Sequence, residues 1–113
     1  MDIYTEERPW GGFRRFTCNE PSTVKIITVK PGEAFSLQYH KERSEFWRVL
    51  SGEGEVTLGD ERKLASPGQE FFIAAGEKHR AAALGRPLVI LEIAFGRFRE
   101  DDIVRIEDRY NRL

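Results

Sequence analysis

The chain has two histidines, His40 and His79, and both stand where they could ligate a metal. His40 lies in the stretch "LQYHKERSEFW" (Leu37–Trp47), between Gln38 and Glu45. Period-2 alternation of an extended chain puts Gln38 and His40 on one face. The bend at "KERS" then brings Glu45 to the start of the next strand, where Glu45, Trp47 and Val49 share a face. His79 follows the turn "AAGEKH" (Ala74–His79). Converging on one interior point, these four side chains would offer an amide oxygen, two imidazoles and a carboxylate. Imidazole suits Zn, Fe, Ni and Co, while carboxylate and amide oxygen also accept harder ions such as Mn. Four donors on an octahedral ion leave two adjacent positions for neighbouring oxygens of a substrate. The competing reading makes His40 and His79 ordinary strand histidines, and residue types alone leave the two level. Their places at turn-flanked strand ends, with an acid between them, tilt the balance toward the metal.

The elements that must position these residues are short. Glycine and proline punctuate runs of about five to eight residues rich in Val, Ile, Phe and Thr, the pattern of an all-β sandwich or barrel. Strands are expected at Gly12–Cys18, Thr23–Val29, Ala34–Tyr39, Glu45–Ser51, Gly54–Leu58, Arg62–Ala65, Gln69–Ile73, Arg80–Leu84 and Leu88–Phe95. The turns "KPGEA", "LSGEGE", "LGDER" and "ASPGQE" carry Gly, Pro or Asp where φ is special. The tail "REDDIVRIEDRYNRL" stays open: Asp101 and Asp102 suit a helix cap, but Ile103, Val104 and Ile106 are poor helix formers. Two facing sheets in a jelly-roll arrangement would protect such strands, and exposed edges would favour a homodimer.

Length and charge narrow the classes. The 113 residues make one small domain, 1–113, with a modest core. Net charge is −1, with no long basic run, so neither nucleic acid nor an anionic membrane is expected as partner. The longest mainly apolar run, "PLVILEIAF", is too short to span a bilayer and contains Glu92. The opening residues lack a signal-peptide pattern, so a cytoplasmic location is the default expectation. The single cysteine, Cys18, permits no intrachain disulfide and is expected to be an inert core or strand residue.

Two spaced patterns combine these features: Gly32-x5-Gln38-x-His40-x4-Glu45-x6-Gly52 and Gly68-x5-Ala74-x-Gly76-x2-His79. They resemble the two cupin motifs, with Gln38 where most cupins carry a histidine and Ala74 in place of the usual proline. "RPWG" at Arg8–Gly11, "FSLQYH" at Phe35–His40 and "EDDIVRIEDRYNR" at Glu100–Arg112 resemble the type II phosphomannose isomerases. These are often the C-terminal domain of a bifunctional mannose-1-phosphate guanylyltransferase. The resemblance covers nearly the whole chain, and the tail is its most specific part. It implies a cupin double-stranded β-helix with a short C-terminal tail. It also implies one divalent metal held by Gln38, His40, Glu45 and His79, and isomerisation of mannose 6-phosphate to fructose 6-phosphate. The nucleotidyltransferase domain has no counterpart in these residues, so guanylyltransferase activity is not implied. Lys41, Glu42 and Phe46 stand where the family typically shows further histidines.

An aldose–ketose isomerase moves a proton between C2 and C1, and Glu92 is the candidate base because it interrupts the apolar strand "VILEIAF". The bland alternative has Glu92 facing solvent or paired with an arginine. Arg105 and Arg109 match family tail positions, and Arg43 adjoins the metal motif; these three are the candidates to hold phosphate or act on it. Trp10 and Trp47 could wall a sugar pocket, although core packing is the stronger reading for Trp47. Two other classes remain open at this point: a small metal-dependent oxygenase, and a non-catalytic metal-dependent sugar-binding protein.

Overall fold

The computed structural model describes residues 3–112, and within them the chain forms eleven strands and no helix. They are β1 (Tyr4–Arg8), β2 (Gly11–Arg15), β3 (Ser22–Val29), β4 (Leu37–Tyr39), β5 (Ser44–Ser51) and β6 (Gly54–Leu58), followed by β7 (Glu61–Ala65), β8 (Glu70–Ile73), β9 (His79–Ala83), β10 (Leu88–Phe95) and β11 (Val104–Glu107). Two antiparallel sheets, in the orders β3-β10-β5-β8 and β11-β4-β9-β6-β7, keep separate hydrogen-bond ladders. Strands β1 and β2 form a hairpin of their own. Among the described residues no helix is long and apolar enough to cross a membrane.

The core follows from alternation. In β3, "STVKIITV", the side chains of Thr23, Lys25, Ile27 and Val29 turn inward, while Val24 and Ile26 face solvent. Val29, Trp47, Val49, Ile73, Leu88 and Ile90 from one sheet pack in a single cluster with Val56, Ala65, Ala81 and Ala83 from the other. Fully burying each large member stabilises the fold by about 1.5–3 kcal/mol, which binds the two sheets face to face. Close approach has its own requirement: Gly52 sits at φ 86°, and a Cβ there would meet the carbonyl oxygen of Pro87 at 2.0 Å. Only glycine lets the β5–β6 turn lie against the start of β10.

A second, smaller cluster covers the outer face of the first sheet. Phe46, Ile93 and Phe95 are buried there beneath Ile3 and Phe16. Phe16 stacks at 4.9 Å from Phe46, and Arg14 pairs with Glu70 at 2.6 Å, so the hairpin is anchored at its base.

The structure amends the expected elements in four places. The opening segment pairs as β1 with β2, because a two-residue Pro9–Trp10 turn joins Arg8 to Gly11. Strand β2 ends at Arg15, where Phe16 turns in to the outer cluster and Asn19 takes a positive φ of 53°. Cys18 is therefore exposed in the β2–β3 loop rather than in a strand or core. The expected Ala34–Tyr39 strand narrows to Leu37–Tyr39, with Ala34 making only an isolated bridge to Ala82. The tail contributes β11, because its β-branched residues find a partner in the otherwise free edge of β4.

Candidate metal centre

Strand register builds the site. In antiparallel pairs, directly opposed residues point to the same face. In the first sheet Lys25, Glu92, Trp47 and Phe71 form one such row across β3, β10, β5 and β8. In the second sheet Arg105, Gln38, His79 and Leu58 form a row across β11, β4, β9 and β6. Trp47 meets His79 edge-on at 5.6 Å, so the two rows face one another. Glu45 lies two residues before Trp47 on the same face, and His40 follows directly after β4.

The two histidines and the acid among the expected ligands form a tight cluster. His40, Glu45 and His79 are all buried, and one donor atom of each lies within 4.8 Å of the other two. Each imidazole is held by its Nδ1. Nδ1–H of His40 donates to the Asp102 carbonyl at 2.7 Å, and Nδ1–H of His79 donates to the Glu77 carbonyl at 2.9 Å. A carbonyl only accepts, so Nε2 of both rings carries the lone pair. Burial pushes the His40 pKa down to about 4 and lowers that of His79 too, which keeps both rings neutral at ordinary pH.

The donor set fits a cation. Nε2 of His79 and Oε1 of Glu45 are 3.4 Å apart, both buried, and neither has a hydrogen-bond partner. Two facing acceptors without a proton between them are costly to bury. A divalent ion answers both, and His/His/carboxylate donors suit the borderline metals Zn, Fe, Co and Ni as well as Mn. Gln38 lines the same cavity as His40 and Glu45, and its amide oxygen accepts the Ser36 hydroxyl at 2.7 Å. Arg43 is buried beside the cluster: its Nε donates to Glu45 Oε2 at 3.3 Å, and Nη2 lies 3.2 Å from His40 Nε2.

Glu92 is 5% exposed and faces inward. Trp47 Nε1–H donates to its Oε2 at 3.1 Å. Burial first, and the negative charge of Glu45 second, push its pKa up to about 7. Burial also raises the pKa of Glu45, against the pull of Arg43. Glu92, His40 and Glu45 line a cavity of about 240 Å³ whose wall also includes the cations Lys25, Arg43, Arg105 and Arg112. A larger groove of about 550 Å³ adjoins it, sharing Ile27, Phe35 and Arg112, but holds none of the candidate ligands.

Not every expected site residue is brought here. Trp10 stands at the hairpin tip, 73% exposed and outside the cavity wall, because the two-residue turn points it away from the body. Arg109 donates to the Gly32 carbonyl at 3.0 Å and is also outside the wall. Arg105 is in the wall, and its buried Nε has no partner. Trp47 is both core and cavity wall. Lys25 and Arg112 were not singled out from sequence. The inward phase of the "STVKIITV" alternation is a signal that could have found Lys25; Arg112, in the irregular tail, carried none. The three departures from the family pattern avoid the interior. Phe46 is buried on the outer face under Phe16, and Lys41 and Glu42 are exposed.

The chain is similar to known proteins in sequence and in fold. The chain is 46% identical over 107 residues to the xanthan biosynthesis protein XanB of Xanthomonas campestris pv. campestris strain B100, covering 93% of this chain and 23% of the relative. It is 42% identical over 108 residues to the mannose-1-phosphate guanylyltransferase ManC of Salmonella typhimurium, covering 94% and 22%. The chain thus spans less than a quarter of the length of these relatives. Among solved structures, the capsular polysaccharide assembling protein CapF of Staphylococcus aureus superposes with a TM-score of 0.70 at 21% identity, over 95% of this chain and 33% of that one. Oxalate decarboxylase from Bacillus subtilis superposes with a TM-score of 0.69 at 25% identity, over 77% and 24%. The model of the family described as mannose-6-phosphate isomerase C-terminal matches residues 2–108, and the chain belongs to that family, a cupin-superfamily domain.

Proposed function

We propose that the protein is a metal-dependent aldose–ketose isomerase acting on mannose 6-phosphate and fructose 6-phosphate, or a related sugar phosphate. The observation that carries this reading is the placement of Glu92 beside the buried His40–Glu45–His79 cluster, in a cavity with a cationic rim. On this reading the two facing sheets are the halves of a cupin double-stranded β-helix.

His40, Glu45 and His79, with Gln38 as the fourth donor, would hold a divalent ion, which would supply positive charge where negative charge develops on the sugar oxygens. The chain's own residues do the rest. Glu92 takes the proton from one carbon and returns it to the neighbouring one, its burial favouring the return of the proton, while the hydroxyl proton passes from one sugar oxygen to the other through solvent. The Trp47 indole fixes which carboxylate oxygen is tied back. Arg105, whose buried Nε has no partner in the protein, grips the phosphate, and Lys25 and Arg112 add charge at the rim. The deciding assay incubates metal-loaded protein with mannose 6-phosphate and measures fructose 6-phosphate. No turnover of this or related sugar phosphates sinks the proposal.

Two further expectations arise here. Arg105→Ala should raise KM for the sugar phosphate by about 10- to 100-fold, the worth of a charge-assisted hydrogen bond, with kcat changed much less. An equal fall in kcat instead would place Arg105 at the reacting carbons. The same proposal includes a homodimer through the edge strand β3, which leaves Val24 60% and Ile26 66% exposed on its outer face. Sedimentation should give twice the chain mass for the wild type and a monomer for Ile26→Glu with metal binding intact. A monomeric wild type at high concentration removes the dimer from the proposal.

A further inference from the structure

We propose that Asp102 is a positioning residue for the metal centre, gripping His40 from two sides; the inference rests on the metal reading above. Its main-chain carbonyl accepts the proton of His40 Nδ1 at 2.7 Å. Its carboxylate accepts the backbone N–H groups of Lys41 at 2.8 Å and Glu42 at 2.9 Å. One residue of the tail thus fixes both the ring of His40 and the backbone that follows it. The neighbouring Arg99 carbonyl accepts Arg43 Nη1 at 3.1 Å, so the same stretch of tail also steadies the guanidinium beside Glu45.

The chemistry makes the grip consequential. A neutral imidazole carries one proton, and its other nitrogen is the ligand. With Nδ1–H held by a carbonyl, the lone pair stays on Nε2, the atom that faces Glu45 Oε2 at 3.7 Å. Without the carboxylate, the N–H groups of Lys41 and Glu42 lose their acceptor and the tail is no longer tied to the 40–42 bend. The carbonyl then drifts from Nδ1 and the Arg99 carbonyl from Arg43, whose Nη2 faces Nε2 at 3.2 Å; with both partners loosened, the ring can carry its proton on Nε2, where it cannot bind a metal. Outer partners of this kind typically govern 10- to 100-fold of metal affinity. Asp101, next in sequence, bonds only the exposed Arg99 side chain and serves as the control.

The test uses Co(II) alone as probe, followed by absorbance, together with the ring-nitrogen NMR signals of His40 in metal-free protein. Asp102→Ala should bind Co(II) about 10- to 100-fold more weakly than wild type, and its His40 ring should pass from the single Nδ1–H tautomer to a mixture. Asp102→Asn retains an oxygen acceptor and should fall between the two; it carries the test if Asp102→Ala fails to fold. Asp101→Ala should match wild type in both readouts. Unchanged Co(II) affinity with an unchanged tautomer in the Asp102 variants overturns the inference. A wild type that binds no Co(II) defeats the metal reading instead, and the ring signals alone then decide whether Asp102 orients His40.

Discussion

The double variant His40→Ala, His79→Ala should emerge from purification without its metal. Each ring turns an Nε2 lone pair toward the cluster, and each is pre-oriented by a carbonyl on Nδ1. Loss of either donor should weaken the ion by about 100-fold or more, since even the outer partners of such ligands govern 10- to 100-fold. Gln38→Ala should cost less, because its neutral amide oxygen is already shared with the Ser36 hydroxyl. Stability offers an independent readout. At an ion concentration of 100 times Kd, binding stabilises the wild type by about 2.7 kcal/mol, and a chelator should abolish that gain. The double variant should show no such difference. Elemental analysis of the folded double variant decides the matter: full metal occupancy refutes the site.

Glu92→Gln should lower kcat by about 10²- to 10⁴-fold and leave KM and metal content near their wild-type values. Glutamine keeps the shape of the side chain and an oxygen to accept Trp47 Nε1–H, so the packing around 5.6 Å Trp47–His79 contact survives. What it removes is the carboxylate proposed to carry the proton. Reaction in heavy water should place deuterium at C2 or C1 with the wild type, unless Glu92 returns the same proton before solvent exchanges it. A variant with wild-type kcat shows that another group is the base, whatever the fate of the metal.

Much of this arrangement was legible in the sequence. The pairing of His40 and Glu45 around a bend, and the arrival of His79 after a glycine turn, rest on local spacing that strand periodicity respects. Glu92 was legible for the same reason, as a charge inside an apolar strand. Trp10 and Arg109, expected to bind substrate, do not line the cavity, and a motif names residues without saying which way a hairpin tip or a tail points. Both ended on surfaces defined by contacts remote in sequence: Arg109 on the Gly32 carbonyl, Trp10 beyond the last pair of the hairpin.

Alternation and φ preferences act within a few residues, so the strand class, the turns and the inward faces of His40, Glu45 and His79 were readable from the chain alone. Tertiary structure decided what those ligands face. Lys25 entered the cavity only because β3 pairs with β10 in a register that sets it opposite Glu92. The tail became strand β11, and Asp102 reached His40, only because the free edge of β4 offered unpaired backbone groups to it. The pKa of Glu92 rose to about 7 only once two sheets closed over it and brought Glu45 near. Burial and long-range register are properties of the packed sheets, and they arise from contacts between residues far apart in the chain.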